Sequence, residues 1–222
     1  MRSKNIMSAI RRYGIAVSAM TAIVLGVAHP APAVDAGVSS AEDVVTRVFN
    51  ASDPEAFYRG LSPTERAAFD HVMIPVTSTL SVEIEPADAV ARNAAANGQS
   101  ADEVFDALAT GCWYGRTRDG AQAAAGNTLY TFWTNIYWCA SGSTVTSVRI
   151  HEADGETKTI GWRYDGVKSS GAQVISNQGR GWAKHRFILG VGGWDVSHPE
   201  HCLRAKGTAS GTASGDRVCS VL

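Results

Sequence analysis

Five consecutive residues, His198-Pro199-Glu200-His201-Cys202, hold four side chains able to ligate a metal. A structural zinc site needs four ligands at recognised spacings, and no second cluster completes this one. Cys202 also has Cys219 within reach as a disulfide partner, so the run reads as structural and no metal is expected. A second candidate is the pair Glu83 and Glu85, which alternates along an extended segment and therefore points one way. Hydrolysis by paired carboxylates needs two groups facing across a cleft, and nothing in the sequence places a partner opposite them. No Gly-x-Ser-x-Gly elbow or cofactor motif is present, and the serines of Gly207–Gly215 sit in a loop. What the chain offers instead is recognition chemistry, aromatic bodies interleaved with polar tips.

That chemistry is concentrated in Gly111–Gly142, where two aromatic runs, Cys112–Tyr114 and Tyr130–Cys139, flank a Gly/Asp/Gln/Ala tract that reads as a loop. Paired as an antiparallel hairpin, the runs set Cys112 opposite Cys139, Trp113 opposite Trp138 and Tyr114 opposite Tyr137. Period-two alternation then divides the hairpin. One face holds Trp113, Phe132, Ile136 and Trp138 and is expected to be core. The other holds Tyr114, Arg116, Trp133, Asn135 and Tyr137, the expected binding surface. All six tryptophans fall after residue 111; packing accounts for most of them, and a stacking platform for sugars or a partner chain is the functional alternative.

The elements that must position these residues read as follows. Residues 1–33 have the pattern of a signal peptide: Arg2, Lys4, Arg11 and Arg12, an apolar run over Ile15–Val27, and Ala31-Pro32-Ala33 as the cleavage site. The run is shorter than the roughly 20 residues that span a bilayer, so a secreted chain without stable membrane insertion is expected. Residues 34–110 carry a formal charge of −9 and helical signals, with caps at Ser39/Ser40, Asp53 and Ser62, an extended Thr77–Ile84, and helices over Pro86–Asn97 and from Ser100 to about Leu108. Residues 111–222 carry +4 and short strands: one over 144–151, one over Thr159–Tyr164 between turns at Asp154-Gly155 and Asp165-Gly166, then Gln173–Ser176, Trp182–Val191, and a last pair Leu203–Lys206 with Arg217–Leu222. No basic tract of the kind that grips nucleic acid occurs.

The expected fold is α+β, a helical segment followed by a mostly antiparallel β-sandwich or partly open barrel. Four cysteines allow three pairings; midpoints falling in Gly/Ala-rich turns favour Cys112–Cys139 and Cys202–Cys219. The order Cys112-Trp113, Asn127–Trp133, Ile136–Ser147 and Gly161–Gly166, with Leu61–Arg66 before it, resembles a group of small secreted proteins of high-GC Gram-positive bacteria. The resemblance implies secretion and the first disulfide, and no catalytic residues. The expected function is a secreted or cell-envelope module without catalysis, binding a cell-envelope glycan or an extracellular protein. An envelope hydrolase with a dispersed site and a secreted inhibitor of another protein are the rival readings.

Overall fold

The computed structural model describes residues 40–86 and 111–222; the two helices expected between 86 and 108 and the signal segment lie outside them. Three short helices open the described residues, α1 (Ala41–Asn50), α2 (Pro54–Arg59) and α3 (Pro63–Met73). Each starts where its sequence supplies an acceptor for orphan backbone N–H groups. Ser40 and Asp43 form a reciprocal capping box, one residue later than a Ser39–Glu42 box would lie; Asp53 caps ahead of Pro54, and Ser62 with Glu65 caps ahead of Pro63.

Among the described residues nine strands follow: β1 (Pro75–Pro86), β2 (Cys112–Ala123), β3 (Thr128–Ser141), β4 (Thr144–Thr157), β5 (Trp162–Ile175), β6 (Gln178–Val191), β7 (Trp194–Ser197), β8 (Glu200–Thr208) and β9 (Ala213–Asp216). They form two antiparallel sheets, β1-β2-β3-β4 and β5-β6-β8-β9 with β7 on β6, which pack face to face without closing into a barrel. Strand β1 pairs with β2 from Trp113 to Ala123, so the first and second segments of the chain share one sheet.

The hairpin register is the one the aromatic runs impose: Cys112 pairs with Cys139, Trp113 with Trp138 and Tyr114 with Tyr137. Ala140 N–H donates to the Gly111 carbonyl, which makes Cys112–Cys139 a non-hydrogen-bonded pair. The Cα atoms are 4.0 Å apart there and carry a disulfide, and Cys202–Cys219 is the second. Four strand boundaries differ from the sequence reading. The Gly/Asp/Gln/Ala tract is a turn only over 124–127, its earlier part continuing β2 to Ala123; Asp154-Gly155 lies inside β4, and Asp165-Gly166 is an irregularity within β5, not a turn. The last pair is β8 with β9, drawn from the duplicated Gly-Thr-Ala-Ser repeat, while residues 217–222 are not a strand.

The inner face of the first sheet is Tyr130, Phe132, Thr134, Ile136 and Trp138, all fully or almost fully buried. Two apolar clusters share the interior. Helix residues Val44, Val48, Phe69 and Met73 join Leu129, Tyr130, Phe132, Phe187 and Leu189 at one end; Ile136, Trp138, Val145 and Ala205 fill the other. Between them lies a polar belt of Thr117, Asp119, Thr134 and His185. His185 bonds the Thr134 hydroxyl through Nε2 (3.1 Å) and the Tyr164 hydroxyl through Nδ1 (2.9 Å). Asp119 accepts two bonds from the Arg217 guanidinium at 2.6 and 3.1 Å. Such partners offset the cost of burying polar groups, and the Thr117 hydroxyl is the member of the belt that has none among the described residues.

Candidate functional site

Rows of side chains crossing four strands build the outer face of the first sheet. In one row Glu83 of β1 pairs with Arg116 of β2, Arg116 with Asn135 of β3, and Asn135 with Glu152 of β4. In the next, Glu85 pairs with Tyr114 and Tyr114 with Tyr137. The two rows enclose a cavity of about 100 Å³, whose lining includes Glu83, Glu85, Tyr114, Arg116, Asn135 and Glu152, with His151 at its rim against Tyr114. Three of the five expected binding residues, Tyr114, Arg116 and Asn135, therefore meet at one place. Glu83 and Glu85 do have groups opposite them, which the sequence alone could not place.

The other two expected residues lie beside the cavity and not in it. Tyr137 packs on Tyr114 at 5.0 Å and lies under the Arg149 guanidinium at 4.7 Å. Trp133 is half-buried, with the Arg118 guanidinium over its ring at 5.1 Å. These rings pack on one another or under cations, so the face is a polar cavity with an aromatic wall more than an open stacking platform. Because Trp133 sits outside the core, Trp133→Ala is expected to cost about 1–2 kcal/mol, the Arg118 stacking and part of its apolar area. A thermal melt measures it.

Glu152 and His151 were not legible in the sequence, because a β-bulge puts them there. Strict alternation would send one outward and the other inward. The register of β3 against β4 shifts between Asn135 and Ile136, pairing them with Glu152 and Ile150 and leaving His151 as the extra residue. Both His151 and Glu152 consequently line the outer cavity. A second shift after Cys139 likewise brings Val145 to the core side.

The polar accounting in the cavity is uneven. The Asn135 amide N–H donates to Glu152 at 2.7 Å, and Arg116 comes within 4.0 Å of the same carboxylate. The Asn135 amide oxygen is buried and has no hydrogen-bond partner, in a residue only 4% exposed. Leaving a buried acceptor unmatched costs about 1–3 kcal/mol. Among the described residues, Glu83 and Glu85 form no ion pair. Three carboxylates surround the space against one guanidinium, so it presents acceptors in excess and disfavours an anion.

The His198–Cys202 run is dispersed by the fold. His198 faces Asp195, Glu200 pairs with Arg186 and Lys184, His201 bonds the Tyr130 hydroxyl at 2.8 Å, and Cys202 is in its disulfide. Among the described residues no group of His, Cys, Asp and Glu is arranged to hold a metal ion, and no helix is long and apolar enough to cross a membrane. Comparison with protein-family models, with curated proteins and with solved structures finds no match to the chain.

Proposed function

We propose that this is a secreted, non-catalytic binding module of the extracellular space or cell envelope that takes a hydroxyl-rich ligand in the outer-face cavity. The signal-peptide pattern supports export, and two disulfides suit an oxidising compartment. One observation carries the binding reading: among the described residues the buried Asn135 amide oxygen has no donor, and Glu83 and Glu85 beside it form no ion pair. All three are acceptors waiting for donors. A neutral or amine-bearing glycan of the envelope supplies hydroxyl, amide and ammonium donors in that density, whereas the phosphates of a nucleic acid bring negative charge to a space bordered by three carboxylates. Tyr114 gives the sugar ring an apolar wall.

Calorimetric titration with soluble envelope-glycan fragments tests this. Saturable binding without turnover is expected, weakened about three- to tenfold by Asn135→Ala, the worth of one neutral hydrogen bond. The same glutamates give the hydrolytic reading its specific support, since Glu83 and Glu85 approach the cavity from one side and Glu152 from the other. Turnover abolished by Glu152→Gln would replace the binding module with an enzyme.

A further inference from the structure

Strand β1 is the edge of the first sheet, and among the described residues nothing pairs with its other side. Its middle, Thr77–Ser81, is exposed on both faces, with Leu80 37% and Ile84 41% exposed. The stretch Thr77-Ser-Thr-Leu-Ser-Val82 contains no charge, proline or glycine and is rich in β-branched residues. Proteins ordinarily blunt such an edge with lysine, proline or a bulge, because an open row of N–H and C=O groups templates another strand. Here the one irregularity lies at Val76, and the regular run extends from Thr77 to Pro86.

The register says which groups are free. Since Cys112–Cys139 is a non-hydrogen-bonded pair, the backbone groups of Tyr114, Arg116, Arg118 and Gly120 turn toward β1. Their partners there are Glu85, Glu83, Ser81 and Thr79, whose own groups are thereby used. Ser78, Leu80, Val82 and Ile84 point their N–H and C=O groups away from the sheet. We propose that this edge binds the same edge of a second copy of the chain, antiparallel, about a twofold axis at Ser81.

Only certain registers keep same-face residues together, and this one uses every free group. Ser78 pairs with Ile84 and Leu80 with Val82 of the other copy, forming eight backbone hydrogen bonds counted over both directions. Leu80 and Val82 meet on the apolar face. On the polar face Thr79 stands opposite Glu83 and Thr77 opposite Glu85, hydroxyl donors against carboxylates. A register centred on Glu83 would set like charges against each other and is disfavoured. The pairing also brings a hydroxyl of the second copy to each of the two glutamates that border the cavity.

Light scattering on the purified secreted protein tests the proposal. Twice the monomer mass is expected. Ser81→Lys, an exposed substitution that sets two ammonium groups face to face at the axis, is expected to halve the mass and leave a folded monomer whose melting temperature no longer depends on protein concentration. Ser81 faces its own copy as a non-hydrogen-bonded pair, the geometry of Cys112–Cys139, so Ser81→Cys is expected to oxidise to a covalent dimer, while Thr79→Cys, which faces Glu83, is not. A wild-type monomer throughout the micromolar range overturns the proposal. So does a Ser81→Lys protein that keeps the dimer mass, or equal crosslinking by the two cysteine variants.

Discussion

Trp138→Ala is expected to destabilise the protein by about 3–5 kcal/mol, the range for deleting a large aromatic side chain from a core that cannot collapse around the cavity. Trp138 is fully buried, its ring lies 5.7 Å from that of Trp113, and its indole N–H donates to the Thr208 carbonyl at 2.9 Å. Glycines 115, 179 and 207, contributed by three different strands, pack directly on this side chain. A Cβ at Gly115 or Gly207 would collide with the ring and one at Gly179 would crowd the Trp138 and Val148 Cβ atoms, and backbone atoms cannot move in to fill the space the ring leaves. Thermal and urea melts of Trp138→Ala beside Trp133→Ala measure the contrast. If Trp133→Ala is the more damaging, the core and binding faces are reversed.

Acidification is expected to cost stability on the order of 3 kcal/mol through His185 alone. Desolvation, with a smaller contribution from His201, pushes its imidazole down to about 4, and Asp154 opposes the shift. The unfolded chain has the ordinary value of 6.5. Between those two values the unfolded state binds the proton and the folded state does not, so stability is full above pH 6.5 and falls as pH drops toward 4. His201 is lowered for the same first reason, burial, and adds in the same direction. The sign is opposite to that of a histidine stabilised by a carboxylate partner. Urea titrations at pH 7.5 and 4.5 read the difference, and His185→Gln, which keeps hydrogen bonding and cannot be protonated, should flatten it. A pH dependence that survives His185→Gln and His201→Gln together would assign the effect elsewhere.

The glycines around Trp138 also explain what the sequence reading missed. Glycine in a single sequence reads as a turn signal, which it is at Gly126 and Gly142, where φ is +87° and +58°. Gly155 is different: an added Cβ would stand 2.8 Å from the Phe187 ring, so it is a strand residue kept small for a ring from the facing sheet. Gly215 leaves space for Thr117 and Val82 in the same way, which is why the repeat near the C-terminus holds β9. A single sequence cannot separate these two uses of glycine. The hairpin register, its disulfide and the core face were legible because cross-strand aromatic and cysteine pairs allow one alignment, and Cys202–Cys219 was legible only from the Gly-rich turn between the two cysteines. Half of the cavity was legible with them. Glu152 and His151 were not, because a one-residue bulge leaves no mark in the alternation.

The most direct test of the outer-face site is where a ligand perturbs the protein. Amide chemical shifts should be followed while a soluble neutral or amine-bearing envelope-glycan fragment is titrated into the ¹⁵N-labelled protein. The perturbed amides are expected to be those of Glu83, Glu85, Tyr114–Arg116, Asn135 and His151–Glu152, on four adjacent strands. Shifts confined to the loop ends at Gly142–Ser143, Ser176–Gln178 and Thr208–Ser210, with the four strands unmoved, would contradict the assignment.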